Sequence, residues 1–304
     1  MSSKASWKEM GLAYLMIFPA LFFFVLYLVY PLFKSLRMSL YDYSGIGSLT
    51  DFVGLANYVE ALADKQFYNA MANNFTLMAI ELVVSLTVAF ILAYFLYRGV
   101  FGWKFFNVVL FLPYIIPLSV SAIIWTSIYE PNIGLLNTFL DKIGLDSWKR
   151  VWLGSTDTSL YSVIAVWIWR TIPFNMLILL GAMLKIPKEM IEAARIDGCS
   201  GFRIVHYLIV PLTAPTIGLL FILSVAYDFR AFDMVWVMTQ GGPADSTQIA
   251  STLVYKLGFS QNEYGYANAI AFLVFAFVAA VAGALILAAK VVNAGLNRKR
   301  GSKQ

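Results

Sequence analysis

Six apolar runs, each about as long as a bilayer is thick, most constrain how this chain folds. A helix rises 1.5 Å per residue, so about 20 apolar residues cross roughly 30 Å of hydrocarbon. Hydrophobic residues make up 60% of the chain and charged residues only 13%. The pattern predicts an all-α integral membrane protein with six transmembrane helices. The runs lie at 11–31, 75–97, 105–129, 160–184, 205–227 and 266–290.

The basic residues predict how these helices are oriented. With the N-terminus inside, the inner segments hold 13 Lys and Arg residues, and the longer outer segments hold eight. Cytoplasmic segments of membrane proteins carry an excess of Lys and Arg. We therefore expect a multi-pass membrane protein with both termini in the cytoplasm.

The runs also divide the chain into segments. We expect an N-terminal segment at 1–69 with the first helix and an outer loop, a core of five helices at 70–291, and a basic cytoplasmic tail at 292–304. The first run is too long for the apolar region of a signal peptide, and no small-x-small cleavage site follows it, so we expect it to be retained. The single cysteine, Cys199, excludes an internal disulfide.

A polar segment between the fourth and fifth runs has the pattern of a short surface helix. It contains the letters IPKEMIEAARIDG. Pro187 suits a first helical position, because its missing N–H would be unpaired there. Met190, Ile191 and Ala194 follow at helical spacing as a narrow apolar stripe. Gly198 can adopt a positive φ angle and end the helix.

The chain then continues as a second short helix. Ser200 is suited to be its N-cap, and the helix runs into the fifth run. Glu192 and Arg195 are three residues apart and can pair locally. Small alanines between them permit close approach by another surface. We expect the loop at about 186–204 to be a helix, a glycine corner and a second helix on the cytoplasmic face.

This loop resembles the cytoplasmic coupling loop of ABC-importer permeases, which contacts the ATPase. The matching residues are Glu192, Ala193, Ala194, Asp197, Gly198 and Pro211. Cys199 and Val210 stand where this family more often has alanine and leucine. An ordinary amphipathic linker is the alternative interpretation of the letters EAA alone. The resemblance implies the type I ABC-importer permease fold: six transmembrane helices with a cytoplasmic coupling-helix loop.

Other segments resemble the carbohydrate-uptake branch of these permeases, the maltose and glycerol-3-phosphate type. They are FVGLANY at 52–58, PYIIP at 113–117 with Trp125, and TQGGP at 239–243. The resemblance covers residues from about 10 to 290. It implies a permease that translocates a sugar or sugar derivative, acidic ones included, by alternating access.

The resemblance also implies the partners. They are a second homologous permease subunit, an ATPase dimer at the cytoplasmic face and an extracytoplasmic sugar-binding protein. The chain has no G-x-x-x-x-G-K-[ST] motif, so ATP and Mg are expected on separate ATPase subunits, with no cofactor or metal in this chain. The resemblance also implies the bacterial cytoplasmic (inner) membrane as the location. We expect contact with the lipid bilayer, no nucleic acid and no enzymatic activity.

Polar side chains inside the apolar runs indicate where a substrate passes, because such groups are costly at membrane depth. In maltose-type permeases, the sugar contacts come from parts of the fourth and fifth spans. The residues implied here are Trp167, Trp169, Arg170, Thr171, Phe174, Ser224, Tyr227 and Asp228. Aromatic faces suit the C–H surfaces of a sugar, and polar side chains suit its hydroxyls.

The same residues allow a structural interpretation. Arg170 can pair with Asp228 or Glu81 inside the bundle, and Trp167 and Trp169 can face lipid. Glu81 is interpreted as a helix-packing group rather than a ligand. An Arg170 without a partner is the basis of a further hypothesis, namely that the substrate is an anionic sugar.

Two other functions stay open. An ion-coupled secondary transporter of a small polar solute needs midplane carboxylates and often inverted repeats. One intramembrane carboxylate, Glu81, gives this alternative little support. A membrane-embedded enzyme needs a clustered site. One histidine and one cysteine make such a cluster hard to assemble.

Overall fold

The computed structural model describes residues 7–301, and almost all of its regular structure is helical. The α-helices are α1 (Trp7–Phe24), α2 (Tyr30–Met38), α3 (Ala56–Ala63), α4 (Lys65–Tyr97), α5 (Trp103–Ile115), α6 (Leu118–Ile128), α7 (Leu135–Lys142), α8 (Ser159–Met183), α9 (Lys188–Ile196), α10 (Gly201–Ile204), α11 (Val210–Asp228), α12 (Phe232–Thr239), α13 (Ala250–Tyr255) and α14 (Tyr264–Gly301). Shorter elements are the π-helical turns Val25–Val29, Val205–Ile209 and Lys256–Ser260, the 3₁₀ turn Asp146–Trp148, and the strands β1 (Tyr41–Asp42) and β2 (Asp51–Phe52).

The helices confirm an all-α membrane protein. Five helical stretches in the described chain are long and apolar enough to cross a bilayer. They are Tyr14–Met38, Lys65–Tyr97, Ser159–Met183, Gly201–Asp228 and Tyr264–Ala284. A sixth span is reached when α5 and α6 are counted together.

The predicted third span, 105–129, is a bent pair of helices rather than one straight helix. α5 and α6 meet at an angle of 96°. Ile116, between them, is extended at φ −65° and ψ 130°, which is the conformation favoured for a residue before proline. Pro117 also lacks the N–H that a continuing helix needs. The apolar run is therefore interrupted at Ile116-Pro117.

The chain forms two compact units. The first contains the chain up to Asp64 together with Val254–Leu273, and the second contains Lys65–Leu253 and the chain from Val274 onward. The expected domains at 1–69, 70–291 and 292–304 stay a prediction.

Backbone and side-chain hydrogen bonds hold the first unit together. β1 and β2 pair antiparallel, with Tyr41 opposite Phe52. The Asn57 amide donates to the carbonyls of Ser39 at 2.9 Å and Tyr41 at 3.0 Å. The Tyr43 carbonyl accepts from the N–H of Gly265 at 3.0 Å. These bonds fix the segment after α2 and the start of α14 within the same unit.

The second unit is built around the packing of α4 against α8. One apolar cluster joins α4, α6, α8 and α12 around the fully buried Trp167. Another joins α4, α8 and the start of the fifth span, where Ala89 and Ala93 are completely buried. Small residues let helix backbones approach closely, which is how helices associate in membranes.

The segment between α6 and α8 is ordered by side chains that satisfy its backbone. The Glu130 carboxylate accepts from the N–H groups of Ile133 at 2.5 Å and Asn132 at 2.8 Å. The Ile133 bond is the main cause that holds the pKa of Glu130 below its usual range. The Asn137 amide donates to the carbonyl of Arg150 at 2.9 Å. This segment is therefore a folded surface.

Candidate functional site

The loop between α8 and α10 is an amphipathic helix that ends at a glycine. Pro187 is the N-cap of α9 and not its first helical residue. At the other end, the N–H of Cys199 donates to the carbonyl of Ala194 at 2.9 Å, and that of Gly198 to the carbonyl of Arg195 at 3.0 Å. Gly198 has φ 78°, so this is the Schellman arrangement. The predicted glycine corner is confirmed.

The second helix of the loop runs straight into the fifth span. Ser200 is the N-cap of α10, although its hydroxyl makes no capping hydrogen bond. α10, the π-helical turn Val205–Ile209 and α11 then follow without a break. Pro211 lies in the first turn of α11. It is therefore separated from the loop surface that carries the other predicted coupling residues.

α9 has one side against the bundle and one side exposed. Ile191 and Ala194 pack against the apolar cluster of α4 and α8, whereas Met190 is 41% exposed, so the buried stripe is narrower than predicted. In the described part of the chain, Glu192 and Arg195 form no ion pair. The predicted coupling residues on the exposed surface are Glu192, Ala193, Asp197 and Gly198.

A cavity of about 300 Å³ lined by both polar and apolar side chains lies in the second unit, bordered by α4, α5, α8 and α11. Six of the eight predicted pathway residues line it. They are Arg170, Thr171, Phe174, Ser224, Tyr227 and Asp228. The cavity is also lined by Glu81, Tyr114, Asn175, Leu223, Ala226 and Arg230. The structure therefore brings together residues of α8 and α11 that are 48 to 58 positions apart in the sequence.

The two remaining predicted residues, Trp167 and Trp169, do not border this cavity. Trp167 is 1% exposed, which excludes the lipid-facing interpretation for it. Its indole N–H donates to Oδ1 of Asp228 at 2.8 Å. Trp169 packs edge-to-face on Trp125, with ring centroids 5.4 Å apart. Trp167 thus reaches the cavity through Asp228 and through Tyr227, whose ring centroid lies 5.9 Å from its own.

Arg170 is held against an aromatic ring and has no ionic partner among the residues that the structure describes. The carbon of its guanidinium lies 5.2 Å from the centroid of the Tyr114 ring, within the range of a cation–π contact. Its Nε and Nη1 atoms are buried without a hydrogen-bond partner. Among the described residues, it forms no ion pair with Asp228 or Glu81. The structure therefore does not support the interpretation that Arg170 forms an ion pair inside the bundle.

The cavity also holds two buried carboxyl groups. Glu81 is 0% exposed, and neither of its oxygens has a hydrogen-bond partner in the described part of the chain. The hydroxyls of Thr171, Ser85 and Ser224 lie close to it, but none makes a hydrogen bond of acceptable geometry with it. Oδ2 of Asp228 is likewise free, while Oδ1 accepts from the indole described above. Three ionisable side chains thus face one cavity with unused hydrogen-bonding capacity.

Sequence reasoning missed four polar or aromatic members of the cavity: Glu81, Tyr114, Asn175 and Arg230. A signal existed for Glu81, since an ionisable residue inside an apolar run is a functional candidate by default. No signal existed for Tyr114, because its position depends on the bend at Pro117.

An apolar helical bundle that contains a cavity lined by ionisable side chains and presents an exposed helix-and-corner loop defines a class: a multi-pass membrane transport protein. Residues 85–298 match the family described as "Binding-protein-dependent transport system inner membrane component". The match covers more than half of the chain, and the chain belongs to this family.

Similar proteins include transport permeases from several organisms. The probable ABC transporter permease protein YurN of Bacillus subtilis is 36% identical over 263 residues, which are 86% of this chain and 90% of YurN. The trehalose/maltose transport system permease protein MalF of Thermococcus litoralis is 30% identical over 282 residues, 91% of this chain and 93% of MalF.

A solved structure shares the fold. It is the crystal structure of a bacterial ABC transporter involved in the import of the acidic polysaccharide alginate. One of its chains aligns with a TM-score of 0.80 and 23% identity, covering 94% of this chain and 96% of that chain.

Proposed function

We propose that this chain is the membrane-spanning permease subunit of an ATP-driven importer for a sugar or sugar derivative delivered by an extracytoplasmic binding protein. The observation that carries this proposal is the set of ionisable and hydroxyl side chains that line a cavity in the apolar bundle, because a transport path needs hydrogen-bonding groups where lipid offers none. Permeases named for trehalose and maltose, diacetylchitobiose and glycerol-3-phosphate are among the relatives, which supports a sugar.

The transport complex contains further subunits. A second homologous permease completes the pathway, two ATPase subunits bind at the cytoplasmic face, and the binding protein docks outside. Nucleotide binding drives alternating access by stabilising one conformation over the other. Both termini and the loop with α9 lie in the cytoplasm in this arrangement.

The two candidate surfaces have separate roles. The loop transmits movement from the ATPase through Glu192, Ala193, Ala194, Asp197, Gly198 and Pro211. The cavity contacts the sugar through Arg170, Thr171, Phe174, Ser224, Tyr227 and Asp228, with Trp167 behind it. The unpartnered guanidinium of Arg170 keeps an acidic sugar among the candidate substrates.

The alternatives fit the molecule less well. Membership of a binding-protein-dependent family favours ATP-driven import over an ion-coupled secondary transporter. In the part of the chain that the structure describes, no group of three or more His, Cys, Asp or Glu side chains is placed to hold a metal ion. We propose that the chain has no catalytic activity of its own and that the ATPase subunits hydrolyse the nucleotide.

The proposal is tested first by identifying the sugar. The native complex and its binding protein are purified, and the binding protein is screened by thermal shift against maltose, trehalose, diacetylchitobiose and alginate oligosaccharides. The complex in proteoliposomes should then import the sugar that stabilises the binding protein, and only with ATP. A native complex that contains no ATPase subunit would contradict the proposal.

The coupling role is tested by reversing one charge. Glu192→Lys should abolish sugar-stimulated ATP hydrolysis or release the ATPase, because it places a cation in the exposed loop surface. The bundle should stay folded, as judged by an unchanged thermal unfolding midpoint. Asp157→Lys makes the same charge change at an exposed residue before α8 and should leave the coupling intact. Equal loss in both variants would argue against a specific loop contact.

A further inference from the structure

Glu81 has no role in the function proposed above, yet it is one of the most costly residues in the bundle. It lies in α4, is 0% exposed and has both carboxyl oxygens without a partner. A buried polar group that lacks a hydrogen bond destabilises a protein, and a carboxyl does so strongly. A residue of this kind calls for a partner outside the chain.

A helix-packing role does not account for Glu81. Polar groups that hold membrane helices together do so by hydrogen bonds between helices. Here those bonds lie one turn further along α4, at Ser85. The Ser85 hydroxyl pairs with that of Thr171 at 3.2 Å and accepts from the Asn175 amide at 2.9 Å. α4 and α8 are thus joined without any contribution from the carboxyl of Glu81.

The groups that share the cavity with Glu81 limit what a ligand must offer. Arg170 presents the free N–H groups of Nε and Nη1, while Glu81 and Oδ2 of Asp228 present free carboxyl oxygens. A ligand that only accepts hydrogen bonds, such as a simple anion, would satisfy Arg170 and leave the carboxyl groups unmatched. A hydroxyl both donates and accepts, so a polyhydroxylated ligand can satisfy all three.

The walls of the cavity fit the same ligand class. The rings of Tyr114 and Phe174 stack with centroids 5.3 Å apart and both line the cavity. Aromatic surface of this kind suits the C–H face of a sugar ring. The volume of about 300 Å³ is at the low end for small-molecule sites, which suits a short stretch of a saccharide.

We propose that Glu81 is a substrate-contacting residue that selects for hydroxyl groups. Its carboxyl oxygens accept hydrogen bonds from the hydroxyls of a sugar ring, and oxygens of the same sugar accept hydrogen bonds from the N–H groups of Arg170. This inference rests on the proposed function and adds α4 to the helices that contact the substrate. It holds for neutral and acidic sugars alike, because the hydroxyls and not the net charge engage Glu81.

Cysteine accessibility tests the placement of Glu81 in the path. Cys199 is the only cysteine of the chain, so Cys199→Ser gives a background in which Glu81→Cys can be read alone. In the complete importer, carried in nanodiscs, we expect Glu81→Cys to react with the charged reagent 2-sulfonatoethyl methanethiosulfonate. Ser85→Cys, one turn away and also 0% exposed, should not react because it lies outside the cavity lining.

A second control lies on the outer surface of the same helix. Val83 is 68% exposed, in the middle of an apolar span. Val83→Cys should react with an apolar maleimide dissolved in the lipid and not with the charged reagent. Equal and negligible reaction of Glu81→Cys and Ser85→Cys with the charged reagent would overturn the proposal.

Protection by sugar tests the contact itself. The protecting sugar is the one among maltose, trehalose, diacetylchitobiose and alginate oligosaccharides that the binding protein binds. At a concentration about ten times its dissociation constant for the permease, it should slow the reaction of Glu81→Cys about tenfold. Inorganic phosphate should give no protection. Protection by phosphate as strong as that by the sugar, or none by the sugar, would overturn the proposal.

Conservative variants separate a contact from a packing role. Glu81→Gln keeps a hydrogen-bonding side chain and should raise the KM for uptake less than Glu81→Leu, which removes it. Glu81→Leu should not lower the thermal unfolding midpoint, because the carboxyl makes no bond within the bundle. A lowered midpoint in both variants would assign Glu81 to packing. Failure of the proposed function itself would be recognised by a different result. The purified complex would then contain no ATPase subunit, whatever the reactivity of Glu81→Cys.

Discussion

At the residue scale, what the cavity can bind depends on which of its side chains already have hydrogen-bond partners and which do not. Hydropathy alone points to Arg170 and Asp228, since both are ionisable residues in or beside apolar runs. It does not reveal that the two form no ion pair, or that Trp167 holds one oxygen of Asp228. Those relations depend on how α8 and α11 are rotated, and no local sequence pattern encodes that rotation.

Trp167→Phe tests the hydrogen bond that the Trp167 indole donates to Asp228. The change keeps a buried aromatic ring and removes the indole N–H donor, so a second oxygen of Asp228 loses its partner. We expect the free energy of unfolding of the permease in detergent to fall by about 1–3 kcal/mol, with weaker sugar protection in the cavity. Thermal or denaturant unfolding of the purified protein measures the first effect.

The matched control is Trp169→Phe. Trp169 lies on the same helix two residues later and packs edge-to-face on Trp125, a contact that a phenyl ring can keep. Its loss of stability should be smaller. A larger loss for Trp169→Phe than for Trp167→Phe would show that ring packing, and not the hydrogen bond to Asp228, is what matters.

At the scale of elements, the helix in the loop between α8 and α10 was predictable and the bend in the third span was not. α9 has local signals: a proline before it, helical spacing of Ile191 and Ala194, and a glycine where the chain turns. The bend at Pro117 is harder to predict from the sequence, because a proline in an apolar run does not always break the helix. Pro215 lies inside the continuous α11. A proline in an apolar run either breaks a helix or is absorbed by its neighbours, and tertiary packing decides which.

Gly198→Ala tests whether the corner after α9 must be a glycine. A residue with a Cβ at φ 78° is disfavoured by roughly 1–2 kcal/mol, although nothing lies within 4 Å of the added atom. The last turn of α9 should fray, and sugar-stimulated ATP hydrolysis should fall while the bundle stays folded. ATPase assays on the reconstituted complex measure this change.

Gly201→Ala is the paired control for that variant. Gly201 is three residues away, is also free of atoms within 4 Å and needs no positive φ angle. It begins α10, where alanine favours the helix. Coupling should therefore be preserved in Gly201→Ala, and a similar loss in both variants would mean that the corner geometry is not the cause.

At the scale of the whole molecule, the apolar runs and their charge pattern predict most of the architecture. The membrane fold is confirmed, and no residue of the apolar window within Tyr14–Met38 is buried in the protein. Which helices border a cavity is a different matter. It depends on contacts between α4, α5, α8 and α11, and pairings over such sequence distances are not contained in hydropathy.

Labelling in intact cells tests the predicted orientation. In the Cys199→Ser background, Ile133→Cys and Ile196→Cys place cysteines at residues that are 84% and 86% exposed. A membrane-impermeant maleimide should label Ile133→Cys in intact cells and Ile196→Cys only after the membrane is permeabilised. The reverse pattern would place the loop with α9 outside and remove the ATPase from the mechanism.

The uninterrupted helix from Gly201 to Asp228 has a geometric consequence. Its 28 residues make a rod of about 42 Å at 1.5 Å per residue. The glycine corner adjoins one end, and Asp228 stands at the other. A tilt of about 5° over that length moves one end by roughly 3.5 Å, which is more than the length of a hydrogen bond. A small displacement on one face of the membrane is therefore large enough to break or remake contacts near the opposite face.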